Sequence, residues 1–471
     1  MSIRSRRELL AKAGRGFGAL AAASLLPASY GAAVSPLAPK PPHGPARAKA
    51  VIYLHMHGGV SHVDTWDPKP ELNRLSGQTL PASFVKGLKT SRIDFTKALA
   101  RGNAWPFRKR GQSGMEISDL FPHTAAHADE IALVRSCHGD AFDHAPAMYL
   151  HATGSQFPGR PSLGSWVTYG LGSENENLPA FVVMSDGAMK CGPQGYGAGF
   201  LPAVYQGTTF RSGKSPVLDL ANPEGVTNGT QRATLDLVGD LDRQHLAARP
   251  FDSDLEARLA SYELAFRMQS EAPDAVDIRK ESEATKRLYG IGEGLSDDFG
   301  RKCLLARRLV ERGVRFVNLY AGTHLGDDWD GAHNDLTGSH SKMAAKTDKP
   351  IAGLLMDLQA RGLLTSTLVV WSSEFGRTPL AEGRNGRDHH PYAFSTWFAG
   401  AGVKGGRVLG STDEFGLRPV ENPVDAHDVN ATILRMVGMD HLKLTYFYQG
   451  RDMRLTDVHG EGEFTRFLVG A

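Results

Sequence analysis

Short apolar runs that end in glycine or polar turns recur along this chain. Ala50-Val51-Ile52-Tyr53-Leu54 leads into His57-Gly58-Gly59. Such a run, bounded by a glycine turn, reads as a buried parallel strand. Ile131 to Val134, Ala180 to Met184, Arg315 to Leu319 and Thr367 to Trp371 read the same way. Helical stretches lie between and beyond them: Lys302 to Glu311, Ile351 to Ala360, Glu256 to Gln269 and Glu281 to Leu288. Gly362 suits the carboxyl end of the second. Strand followed by helix, repeated, predicts an α/β fold with a mostly parallel central sheet flanked by helices. Sites in such sheets lie beyond the carboxyl ends of the strands. Residues 185–250 are rich in Gly, Pro and Gln and predict an irregular surface excursion or lid.

The first residues carry Ser5-Arg6-Arg7-Glu8-Leu9-Leu10, then a weakly apolar run from Gly14 to Leu26. This is the pattern of a twin-arginine export signal over residues 1–33, followed by a flexible lead-in at 34–47. Residues 48–471 then form one domain. The expected partner is the twin-arginine export machinery, and the expected location is the periplasm or the extracellular space. That route carries folded proteins, often with a metal already loaded. Beyond the signal, no run reaches the ~18 apolar residues that cross a membrane. The formal charge is +2, with Lys and Arg scattered, so no nucleic-acid groove is expected. Three distant cysteines make neither a disulfide framework nor a thiolate metal knuckle.

Histidine changes the picture, with 18 in the chain, several beside Asp, Gly or Asn in polar turns. Four clusters follow strands. The first holds His55, His57, His62, Asp64 and Asp67, with Asp64 and His57 as candidate metal ligands. The second, His138 to Pro146, places His144 at the start of a helix running from Ala145 to His151, whose free N–H groups suit an anion. The third, Asp327 to Asp335, sets Asp330 and His333 one turn apart as ligands. The fourth is Ser372 to Thr378 with Gly386 to His390. There Glu374 sits where a strand-end ligand belongs, and Arg377 suits an anionic substrate. Of the adjacent pair, His389 is assigned to metal and His390 to substrate or support. Carboxylates mixed with imidazoles predict a divalent ion, zinc or manganese, with calcium also compatible. Metalloprotease, P-loop, dinucleotide and serine-hydrolase motifs are missing.

The segments Gly58-Gly59 through Asp64-Thr65-Trp66-Asp67-Pro68-Lys69-Pro70, Gly159 to Trp166, Trp371 to Pro379, Gly386 to His389 and Arg451 to Asp457 closely resemble a large bacterial family of unknown function, number 1501 among such domains. That family is placed among relatives of alkaline phosphatases and sulfatases, which implies an alkaline phosphatase-like (sulfatase-like) core. His144-Ala145-Pro146-Ala147-Met148 leading to Thr153-Gly154 is similar to the C-x-P-S-R…T-G pattern of sulfatases, which puts His144 at the nucleophile position. Glu374-Phe375-Gly376 falls where those relatives carry Asp-His-Gly or Asp-Asn-Gly, and Phe375 removes one ligand. Asp428 to Leu434 is similar to a late helix of these relatives, with His427 and Asp428 in structural roles.

The resemblance implies an exported, metal-dependent hydrolase of phosphate or sulfate esters, with sulfated glycans among the expected substrates. Two ions would be held by Asp64, Asp330, His333, Glu374 and His389 or His390. His144 or a metal-activated water would attack. The alternatives are a non-catalytic, metal-stabilised binder of anionic glycans, and a phosphomutase or phosphonate-cleaving relative on the same fold.

Overall fold

The computed structural model describes residues 35–470 except 90, 212, 214–215, 219, 249–252 and 324–325. The expected export signal lies outside the described residues. Eight strands form the central sheet: β1 (Ala50–Met56), β2 (Ala132–Cys137), β3 (Phe181–Met184), β4 (Thr208–Phe210), β5 (Phe316–Ala321), β6 (Thr367–Ser372), β7 (Phe394–Gly400) and β8 (Arg407–Leu409). Their order across the sheet is β8-β2-β7-β6-β1-β5-β3-β4. All pairings are parallel except those of β7, which runs against both β2 and β6.

β1 sits in the middle, with Leu54 between Leu319 of β5 and Trp371 of β6. Every residue of these three strands is buried. This is why they read as continuous apolar runs rather than alternating ones. Helices cover both faces: α1 (His144–Thr153), α2 (Leu163–Leu171), α3 (Asn228–Ala248), α4 (Ser253–Val276), α5 (Ser296–Glu311), α6 (Leu336–Ala360) and α7 (Ala426–Met436). One apolar core lies under α5 and α6 and includes Leu304, Leu309, Leu354 and Leu358. The other, on the opposite face, includes Trp166, Phe398 and Ile433. The mostly parallel sheet flanked by helices is thus the expected class.

Several expectations need correction. α6 begins at Leu336, not Ile351, and runs through Pro350. Proline there forgoes one helical hydrogen bond, but Met343, Leu354 and Leu358 are buried on both sides of it and hold the helix. The excursion at 185–250 contains strand β4 and the 21-residue helix α3. α3 escaped notice because it is mostly exposed and buries few apolar side chains. Residues 35–47 are tied down: Lys40 N–H donates to Leu171 O, Lys40 Nζ to Tyr169 O, and Gly44 N–H to Gly438 O. Among the described residues no helix is long and apolar enough to cross a membrane.

The fold also buries neutral imidazoles. His340 of α6 is fully buried, and its Nε2 accepts the Ser61 N–H at 3.1 Å. Burial, with Arg377 and Arg387 nearby, pushes it down to about 3 against the opposing pull of Asp64. Burial likewise pushes His151 down to about 4. An unfolded imidazole takes its proton near 6.5. As pH falls from there toward 3, the unfolded chain binds protons that the folded chain refuses, so stability drops. The urea midpoint is expected to fall steadily below pH 6.5. In His340→Gln, whose amide oxygen still accepts from Ser61, the fall becomes shallower by up to about 1.4 kcal/mol per pH unit. An unchanged slope would contradict this assignment.

Candidate metal centre

The carboxyl ends of β1, β5 and β6 open on the same edge. β1 turns through Gly58 and Gly59. Gly58 has φ +114°, and a Cβ there would lie 2.5 Å from Asp330 N and 2.8 Å from Trp329 N. The turn therefore needs glycine so that the 329–333 helical turn after β5 can close against it. β6 delivers Ser373 and Glu374, and the amino end of α1 delivers His144.

Glu374 is buried among donors. Its Oε1 accepts the Gly58 N–H at 2.7 Å and His144 Nδ1 at 2.6 Å. Its Oε2 lies 3.2 Å from His55 Nε2 and 3.3 Å from Ser373 Oγ. Burial raises its pKa, but the bonds and charges of His144 and His55 outweigh that and hold it well below the usual carboxylate range. An ionised Glu374 makes His144 Nδ1 the protonated nitrogen. His144 Nε2 then faces the site. His333 follows the same logic, since its Nδ1 pairs with Glu382 and its Nε2 points inward. Carboxylates that fix the tautomer of an imidazole in this way are typical supports of metal-binding histidines.

The inward nitrogens meet at Asp330. Its Oδ1 lies 3.0 Å from His144 Nε2, 3.1 Å from His389 Nε2, 3.3 Å from His333 Nε2 and 2.8 Å from Arg377 Nη2. Its Oδ2 lies 2.7 Å from Lys190 Nζ. His333 Nε2 and His389 Nε2 are 2.8 Å apart. Burial pushes the Asp330 carboxyl up, but the three imidazoles and Arg377 carry it far below its ordinary value. Burial drives His389 down to about 3 despite Asp330. His144 is opposed by burial but raised overall by the two carboxylates it faces.

Whether these donors fit an ion can be tested on their geometry. Ligands about 2.0–2.1 Å from a tetrahedral zinc stand roughly 3.3 Å from one another. Four of the six separations among the three Nε2 atoms and Asp330 Oδ1 measure 2.8 to 3.3 Å, at or just below that edge, and His144, Asp330 and His389 each bring one ligand atom within 4.8 Å of the others. His144 Nε2 is buried, and its approach to Asp330 lacks hydrogen-bond alignment. Charge points the same way. Asp328, Asp330, Glu374 and Glu382 are set against Arg377, Lys190 and the exposed Arg92, an excess of negative charge when the imidazoles are neutral. A divalent cation offsets that charge. Three imidazoles and one carboxylate suit zinc or manganese better than calcium, which prefers oxygen.

Not every expected residue joins. Asp64 lies fully buried against Arg387, with Arg387 Nε 2.8 Å from Oδ2. Its remaining capacity goes to Ser61 Oγ at 2.5 Å and Ala104 N–H at 2.7 Å. His57 stands behind the site, with Nδ1 3.5 Å from Asp328 and its ring 6.1 Å from that of His144. Burial pushes it down to about 4. His390 points away. It donates Nε2–H to Leu417 O at 2.9 Å and stacks on His62. His389 and His390 form a short strand against Gly376–Arg377, and neighbouring strand residues face opposite sides, so only one can reach the cluster.

Arg377 is fully buried and spends Nε on Gly59 O and Nη1 on Arg387 O, while Nη2 serves both Gly58 O and Asp330. Glu374 supports His144 rather than lying open to an ion. Asp388 brings one oxygen within 4.8 Å of ligand atoms of His389 and His333, but its oxygens accept the amides of Arg92, Ile93 and His389. Sequence reasoning missed Lys190 and Glu382. Neither lies in a strand-end motif, and only the return of the 185–199 segment over the site brings Lys190 in.

The chain belongs to the family described as "Protein of unknown function (DUF1501)", whose profile matches residues 48–463. No curated relative matches the sequence. Among solved structures, the PsFucS1 sulfatase from Pseudoalteromonas sp. is 12% identical with a TM-score of 0.38, covering 89% of this chain and 75% of its own. The alkaline phosphatase of the Antarctic bacterium TAB5 is 10% identical with a TM-score of 0.38, covering 85% and 100%. The phosphonate monoester hydrolase SpPMH from Silicibacter pomeroyi is 14% identical with a TM-score of 0.35, covering 74% and 72%. Similarity this distant assigns no chemistry to the residues above.

Proposed function

We propose that the chain is an exported, metal-dependent hydrolase of phosphate or sulfate esters, with one ion held by His144, His333, His389 and Asp330. The observation that carries this reading is the convergence of three imidazole Nε2 atoms on Asp330 beside Arg377 and Lys190. When bound, the ion would supply a Lewis acid and lower the pKa of an attacking water, which has to enter as an added ligand or in place of one of the four side chains. Glu374 and Glu382 hold His144 and His333 in the tautomer that turns Nε2 inward. The buried Arg377 holds Asp330 from behind, and the partly exposed Lys190 supplies positive charge where an ester oxyanion gains negative charge. Asp330 and Lys190 are both partly exposed, so substrate approaches from their side.

His144 cannot both hold the ion and attack through Nε2, since Nδ1 is committed to Glu374. The ligand role agrees with the shared approach to Asp330, and water is then the nucleophile. Stripping the protein with a chelator is expected to abolish hydrolysis of chromogenic phosphate or sulfate esters, and zinc or manganese to restore it. Glu374→Gln, which loses the acceptor that orients His144, should weaken metal binding about 10–100-fold. Stoichiometric metal with no ester turnover on either substrate class would instead support a non-catalytic binder of anionic glycans.

A further inference from the structure

A second group of ligating side chains lies at the amino end of α7, at a position separate from the site described above. Asp425 caps this helix. Its Oδ1 accepts the N–H groups of His427 at 2.8 Å and Asp428 at 2.9 Å, which leaves Oδ2 outside the cap. His427 donates Nε2–H to Gly154 O at 3.1 Å. That bond commits Nε2 and leaves Nδ1 facing Asp425 Oδ2 at 3.4 Å. The contact is long for a hydrogen bond, and against the effect of burial the Asp425 carboxylate holds the His427 pKa up. The ring of exposed His459 lies 4.4 Å from that of His427, and one ligand atom from each of the three residues falls within 4.8 Å of the others. Asp428 adds a second carboxylate nearby, its oxygens taken by the N–H groups of Asp425 and Gly462.

We propose that Asp425, His427 and His459 form a second divalent-cation site that staples the 456–460 turn to α7 and, through Gly154, to the end of α1. A proton between Asp425 and His427 would satisfy that pair, but it would not require His459 beside them. Two imidazoles and one carboxylate suit zinc, with water completing the shell. The carbonyl on His427 Nε2 is the support expected of a ligating histidine. The role is structural, since none of the three residues touches the Asp330 cluster.

The test is zinc titration of chelator-stripped full-length protein, wild type against His459→Ala, with the thermal midpoint followed alongside. His459 is exposed, so the variant keeps the fold. The expected result is that His459→Ala binds one ion fewer per chain and loses part of the zinc-dependent rise in midpoint, while ester hydrolysis is unchanged. Equal ion counts in the two proteins, or no zinc bound by wild type, would overturn the proposal. The difference between the proteins reads this site even if the Asp330 cluster holds no metal, because that cluster is the same in both.

Discussion

Asp330→Asn is expected to empty the metal centre and to reduce ester hydrolysis by roughly 10³-fold. A Lewis-acid ion is worth several kcal/mol to the transition state, and each 1.4 kcal/mol is about tenfold in rate. Asparagine keeps the shape and still accepts a hydrogen bond from Arg377, but it removes the one negative charge on which three imidazoles converge. The fold should tolerate it. Arg377 retains the carbonyls of Gly58, Gly59 and Arg387, and Lys190 has Asp328 at 3.6 Å. The loss of stability is expected to stay within about 2 kcal/mol. Metal content and turnover measured on the same preparation check this. A variant with full metal content would show that Asp330 is a charge partner and not a ligand.

Asp64→Ala is expected to do the reverse. Asp64 and Arg387 are both fully buried, and removing one partner strands the other in the interior. Such losses cost about 3–5 kcal/mol. Arg387 keeps the carbonyls of Thr378, Arg101 and Gly102, which places the expected loss near 3 kcal/mol. Burial raises the Asp64 pKa, but Arg387 and Ser61 bring it below 3.8 overall. The pair therefore stabilises fully above that pH and is lost as pH falls through the lowered value. Folded Asp64→Ala should still bind metal like wild type. Chemical denaturation and metal analysis together decide the matter: a variant of normal stability that has lost an ion would return Asp64 to the ligand set.

These two aspartates show where sequence was a sufficient guide and where it was not. Both stand in polar motifs after apolar strands, and nothing along the chain tells them apart. Asp330 shares a helical turn with His333, so its neighbours are local and legible. The partner of Asp64 lies more than 300 residues away, and only the closed fold brings Arg387 to it. β1, β5 and β6 were readable because strands buried on both faces must be apolar throughout. β7 was not read from the sequence at all, and an apolar run would not encode that it lies antiparallel to its neighbours. His389 and His390 were separated by strand alternation, which a two-residue strand does not announce. Lys190 belongs to a stretch without periodicity, and its role depends on how that segment returns over the site.

Anomalous diffraction from zinc-loaded crystals, with data on either side of the metal edge, tests the central claim most directly. The account predicts one peak about 2.0–2.1 Å from the Nε2 atoms of His144, His333 and His389 and from a carboxylate oxygen of Asp330. Crystals with no anomalous density among those four residues, and the Asp330 carboxylate still held by Arg377 and Lys190 alone, would contradict it.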